Sequence, residues 1–277
     1  MSSFKDGTLI ASKAKYIILQ NQKEVIGKNS IGVKATDDQN NPRFIKTLPI
    51  HILLSPTRTI DTIKTLSDQP MLINAIIPLD YTVISNYLYI IEPCYSSYNF
   101  EKVAKEIKDE SSAIEILRQV VYAIKELRDL KYYFPRGFAN EDVFFSKGEK
   151  NEWYAHIHYP LISDERVCQT NISANMDESI LNSIGHYYIN LIQQSAATPL
   201  RNNIGGISFN SKIVVSQFSH DLISFCIFPG QTLDELYKIL DIASLWSDTY
   251  TKLSPSKFKK EGPPIRRIEI QYNCFSG

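Results

Sequence analysis

The hydrophobic period of this chain changes near residue 100, and that change constrains the fold more than any other feature. Before it the sequence reads in strands. "KYIILQ" is apolar and β-prone, "NQKE" interrupts it, and "VIGKNSIGVKAT" follows. The turn-rich break "DDQNNP" precedes "RFIKTLPIHILL", and "INAIIPLDYTV" and "NYLYIIEP" are two further strand-like runs. Only "TRTIDTIKTL" in this part has helical spacing, at Ile60 and Ile63.

After it the period is helical. "FEKVAKEIKD" is a short amphipathic helix. "SSAIEILRQVVYAIKELRDL" puts Ile114, Leu117, Val121, Ile124 and Leu127 on one face, with Ser111 or Ser112 as its expected cap. "WYAHIHYPLI" alternates like a strand. "ESILNSIGHYYINLIQQ" is apolar enough to be a buried helix, and "SHDLISFCIF" and "TLDELYKILDIASLW" are two more helices. A strand-rich lobe over 1–95, a helix-rich lobe over 96–250 and a basic, Pro-containing extension over 251–277 follow from this order. The fold class expected is α+β, two-lobed, with an antiparallel first lobe and a mainly helical second lobe; a cleft between lobes is where small ligands usually bind.

Composition narrows the function. With 277 residues, 43% of them hydrophobic, the chain can build two cores. Lys plus Arg and Asp plus Glu are both 30, so no overall charge points to nucleic acid or to an acidic membrane surface. The N-terminus lacks the apolar segment of a signal peptide. "LINAIIPL" and "LISFCIF" fall well short of the roughly 20 residues that span a bilayer. Cys94, Cys168, Cys226 and Cys274 form no C-x-x-C pair, so reduced thiols and an intracellular, cytoplasmic setting are expected.

Taken in order, these segments resemble a eukaryotic protein kinase domain over about residues 14–245. "VIGKNSIGVKA" resembles the Gly-rich loop, with Gly27 and Gly32 at its outer glycines and Asn29 at the middle one. "RFIK" places Lys46 at the phosphate-binding lysine, and "YLYIIEPC" resembles the hinge. There the Glu92 carbonyl and the Cys94 N–H would face adenine. "PRGFANEDVFF" resembles the catalytic loop and "HIHYP" the metal-binding triplet.

Kinase chemistry is almost all positioning and electrostatics, so each group in these motifs matters. Gly137 stands at the catalytic Asp and has no side chain to orient a hydroxyl. His158 stands at the metal-binding Asp, and neutral imidazole is a poor magnesium ligand. Asp142 stands at the metal-binding Asn and keeps a carboxylate that hard cations accept. The regulatory helix offers Ile60, or Thr59 with a shifted gap, where a Glu should pair with Lys46; Asp61 lies about 100° round the helix from that position. The F-helix Asp position falls on Ile180.

The resemblance therefore implies a degenerate kinase, a pseudokinase, acting as a scaffold or regulatory subunit through protein partners and requiring no cofactor. ATP held without catalysis, as in a nucleotide sensor, and a weak unconventional phosphotransfer through Asp142 and Lys46 stay open as alternatives. His156 and His158 alternate and share a strand face, but two histidines without a third ligand are more often a strand face than a metal site. Cys226 inside "LISFCIF" reads as a core residue. The tail strand "IEIQY" and the aromatic segments "CYSSYNF" and "LKYYF" are the expected contact surfaces.

Overall fold

The structure is a computed structural model. It describes residues 7–26, 30–53, 55–72, 74–94, 98, 100–107, 109–130, 132–134, 137–148, 151–159, 174–193, 200–201, 207–208 and 216–241. Gly27, Asn29, Pro135, Arg136, the segment 160–173 and the tail from 242 onward lie outside the described residues.

The first lobe is one antiparallel sheet of six strands. β1 (Thr8–Ile10), β2 (Lys15–Ile26), β3 (Ser30–Thr36), β4 (Pro42–Pro49), β6 (Asp80–Ile84) and β7 (Tyr87–Pro93) take the order β1-β2-β3-β4-β7-β6. The polar stretch "NQKE" does not interrupt β2. The strand runs through it, with a register shift against β3 between Ile18 and Lys23 that absorbs the irregularity. The expected break "DDQNNP" is the β3–β4 turn. Asp37 ties it together, accepting from the Gln39 and Asn41 amides and from Arg43 at 2.6 Å, with Asn40 at φ 62°.

"INAIIPLDYTV" is two strands rather than one. β5 (Ala75–Ile76) pairs in parallel with β9 (Trp153–His158) of the second lobe, while β6 belongs to the six-stranded sheet. Pro78 falls between them and cannot donate to a ladder, so the chain changes sheets there. The second sheet is completed by β8 (Val143–Lys147), in the order β5-β9-β8.

The six-stranded sheet buries side chains on both faces. One face carries Leu9, Tyr16, Ala35, Ile45, Tyr89 and Ile91. The other carries Leu48, Leu88 and Ile90 against Ile60 and Ile63 of α1 (Pro56–Ser67). The two ends of the sheet are drawn together by Asp80. Its buried carboxylate accepts from Ser12 Oγ at 2.5 Å, the Lys13 amide at 2.9 Å, the Ala14 amide at 3.2 Å, Tyr16 Oη at 3.1 Å and its neighbour's amide on Tyr81 at 2.8 Å. The Ser12 amide also donates to the Tyr81 carbonyl. The β1–β2 turn is thus clamped onto β6, the opposite edge of the sheet.

The second lobe is built round α3 (Glu110–Asp129). Ala113, Ile116, Leu117, Val120, Val121, Ile124 and Leu127 are buried, a broader stripe than one narrow helical face. Asp109, not Ser111 or Ser112, caps it: the Asp109 carboxylate accepts from the Ser112 amide at 2.7 Å. α2 (Phe100–Glu106), α4 (Ala174–Gln193), α5 (Gln217–Ile227) and a helix over 233–241 (α6) complete the helical body. β10 (Leu200–Arg201) and β11 (Ile207–Ser208) form a small separate hairpin. Cys226 is buried in this core, and burial pushes its thiol well above the ordinary range. Among the described residues no helix is long and apolar enough to cross a membrane.

Candidate functional site

The β4–β7 ladder sets the cleft. Its register places Lys46 opposite Ile90 and Phe44 opposite Glu92, so Phe44, Lys46, Ile90 and Glu92 all lie on the face that α1 partly covers. Further along, α1 fills this face with Ile60 and Ile63. At the other end β9 closes over it.

β9 is held in place from behind. The Gln119 side chain of α3 accepts from the Ala155 amide at 2.7 Å and donates to the Trp153 carbonyl at 3.3 Å. Asn74 donates to the Ala155 carbonyl, and its own carbonyl accepts from the Ile157 amide. Ala155 and Ile157 face the core, which turns His156 and His158 the other way.

His158 reaches the first lobe. Lys46 Nζ donates to Glu92 Oε1 at 3.3 Å, and His158 Nε2 lies 3.0 Å from Lys46 Nζ and 2.8 Å from Glu92 Oε2. His158 Nδ1 faces the Tyr159 carbonyl at 3.0 Å, and the Tyr159 ring stacks on the imidazole. Lys46 and Glu92 are each 2% exposed. Charges this deep exist only when paired. Burial alone would push the Glu92 carboxyl up; the His158 and Lys46 charges and their hydrogen bonds outweigh it and hold it at about 2.

Lys46 therefore has a glutamate partner, but α1 does not supply it. Thr59 and Ile60 of α1 pack inward with no acid beside Lys46, and Asp61 is exposed. The partner is Glu92, which the sequence reading placed in the hinge for its backbone carbonyl. Its side chain is the group that meets Lys46 and His158. The hinge amide is also spent: the Cys94 N–H donates to the Pro42 carbonyl at 3.3 Å, extending the β4–β7 ladder. Alternation in an antiparallel ladder makes Phe44 and Glu92 the next hydrogen-bonded pair, so the Glu92 carbonyl turns towards β4 as well.

Gly32 pairs with Lys46 across β3 and β4. A Cβ at Gly32 would collide with the ring of Phe44, so the glycine is needed here for close approach of a side chain. Phe44 is buried, on the cleft face, two residues before Lys46. It fills space beneath the strand that the sequence reading assigned to phosphate binding. Gly27 lies outside the described residues.

The catalytic-like loop is fixed from the helical lobe. Gly137 has φ +70°, the left-handed region, and a Cβ there would run into Ser183 Oγ of α4. The Phe138 amide donates to that same Ser183 Oγ at 3.2 Å, and the Phe138 ring packs on Phe134 and Tyr187. Ile180, the expected F-helix Asp position, is buried one turn earlier on α4. Asp142 caps its own loop: Oδ2 accepts from the Ala139 amide at 2.8 Å across the 3-10 turn Asn140–Asp142. His156 shares a face with His158, as the alternation predicts, but its Nε2 meets Ser146 Oγ at 2.8 Å. No group of three metal-ligating side chains occurs among the described residues.

Within the aromatic segments, the described residues include ring contacts of their own. Tyr98 packs edge-on to Trp153 at 5.1 Å, and Tyr132 packs against the core. The strand-like "IEIQY" lies outside the described residues.

No family model matches the sequence, and no curated protein matches it. Among solved structures the chain is similar to the crystal structure of Rad53 1-466 in complex with AMP-PNP, with a TM-score of 0.60 and 12% identity, over 82% of this chain and 64% of that one. The chain thus spans a little under two thirds of that structure's length. At this identity the likeness is one of fold: a two-lobed, protein-kinase-like α+β architecture.

Proposed function

We propose that this protein is a catalytically inactive pseudokinase that works through protein contacts, as a scaffold or regulatory subunit of a larger intracellular complex, and needs no nucleotide or metal to do so. One observation carries the reading. Lys46, the residue at the phosphate-binding position, is closed on Glu92 and His158, two groups of the protein itself. A lysine whose charge is already balanced inside the fold gains little from a phosphate.

Gly137 and His158 support the same reading. Neither can supply the carboxylate that orients a substrate hydroxyl or anchors a metal, and the loss of one such group typically costs about 3 kcal/mol of transition-state stabilisation. The runner-up is a nucleotide sensor. It draws on Lys46 keeping its place in a fold of which one solved member is a complex with AMP-PNP, and it requires that Glu92 and His158 release the lysine.

The test has two arms. Purified protein is incubated with magnesium and labelled ATP, alone and with generic protein substrates. No transfer beyond that of Lys46→Ala is expected. Isolation of the native assembly from its source is expected to return the chain in stoichiometric association with another protein. Lysine-dependent transfer, or a chain found only by itself, overturns the reading.

A further inference from the structure

His158 stands between two groups that ask opposite things of it. Nδ1 faces a carbonyl, which only accepts, so Nδ1 carries a proton. If the ring is neutral, Nε2 is a bare lone pair. It then accepts from the Lys46 ammonium at 3.0 Å and repels the Glu92 carboxylate at 2.8 Å. If the ring is protonated, Nε2 carries a hydrogen. It then donates to Glu92 and repels Lys46. One imidazole edge cannot satisfy both neighbours in one protonation state.

Among the described residues, the surroundings add no other charge that resolves the conflict. β4 contributes Lys46 and β7 contributes Glu92. β8 contributes the Phe144 ring, 6.2 Å away, and β5 contributes backbone through Ile76. On β9 itself, His156 is turned to Ser146, and just past its end the buried Tyr159 hydroxyl is held neutral, pushed well up by burial and then by the Glu92 charge.

We propose that His158 is a proton-operated latch between the two sheets: neutral, its Nε2 holds Lys46; protonated, it turns to Glu92 and loosens the lysine. The neutral state ties β9 to β4, and the protonated state ties β9 to β7. Lys46 is then the part that gains freedom when the ring takes up its second proton. The latch does not depend on the pseudokinase reading, because it follows from the protein's own three side chains.

Long-range proton–nitrogen NMR of the His158 ring in the full chain tests this from about pH 5 to about pH 8, the range in which histidine changes charge. The neutral ring is expected to be the Nδ1–H tautomer. Lys46→Met removes the repulsion and is expected to raise the midpoint of protonation. Glu92→Gln removes the attraction and is expected to lower it. Each shift should be about one pH unit or more. A neutral ring with its proton on Nε2, a ring that never titrates in this range, or a midpoint that Lys46→Met lowers or leaves in place overturns the latch. Should either variant fail to fold, the tautomer of the unmodified chain decides the matter alone.

Discussion

Asp80 and Glu92 are buried carboxylates on adjacent strands of one sheet, Asp80 pairing with Ile91 next to Glu92. They are satisfied in opposite ways. Asp80 takes its hydrogen bonds from neutral donors: two amides and two hydroxyls of the segment Ser12–Tyr16, and the Tyr81 amide. Glu92 takes its partners from two nitrogen bases on two other strands. The first arrangement is a clamp that fixes where the sheet's edges meet. The second is a bridge whose strength depends on protons and on whether the lobes stay together. A buried carboxylate alone does not mark a functional site; what matters is whether its partners can change.

The largest effect expected from this contrast is at Glu92. Glu92→Ala leaves Lys46 buried beside a histidine with no anion. It should cost about 3–5 kcal/mol in urea unfolding, as breaking a buried pair generally does. Asp80→Asn keeps one acceptor and the shape of the side chain. It should cost about 1.5–3 kcal/mol. If Asp80→Asn proves the more damaging of the two, the distinction between clamp and bridge is wrong.

Acid sharpens the same point. A carboxyl held at about 2 in the folded protein against an ordinary 4.5 contributes stability that is present above pH 4.5 and lost as the pH falls towards 2. Unfolding free energy should therefore decline across that window more steeply than in Glu92→Gln. Parallel slopes would remove Glu92 from the account.

The catalytic-like loop gives the next effect. Gly137→Asp restores the acid that a phosphotransfer loop needs. The side chain must nevertheless enter at φ +70° against Ser183. The variant should lose about 1–3 kcal/mol and gain no phosphotransfer. Ser183→Ala removes the acceptor of the Phe138 amide and should cost about 1 kcal/mol, the smallest of these effects. If the double variant Gly137→Asp with Ser183→Ala were active, the loop would be only one step from chemistry.

Much of the architecture was legible in the sequence because it rests on local pattern. The change of period near residue 100, the α3 stripe and the alternation in "WYAHIH" all report which face of an element is buried. Lys46 was legible too, since "RFIK" sits in a strand at the right place in the order. The partner of Lys46 was not. Phe44 and Glu92 meet through a ladder whose register is set 48 positions apart in the chain, and no local pattern encodes that. One signal was available: a glutamate inside the apolar run "YLYIIEP" is a charge that must be paired if the strand is buried.

The role of Ser183 is hidden in the sequence for a similar reason. A serine on an apolar helix face looks neutral until a glycine loop is pressed against it. Phe44 carries no local signal of its role, which rests on Gly32 lying over its ring. The split of "INAIIPLDYTV" could have been read from Pro78, which ends one ladder and lets the chain join another.

Lys46 is closed on Glu92 and His158, and the proposed function holds that it therefore offers no phosphate site. A thermal-unfolding measurement at neutral pH, with millimolar ATP and magnesium, tests it most directly. Ligand binding raises stability by about 2.7 kcal/mol at a hundredfold excess over Kd, so binding would be plain. The account predicts an unchanged melting temperature. A magnesium-dependent rise that disappears in Lys46→Ala would contradict it.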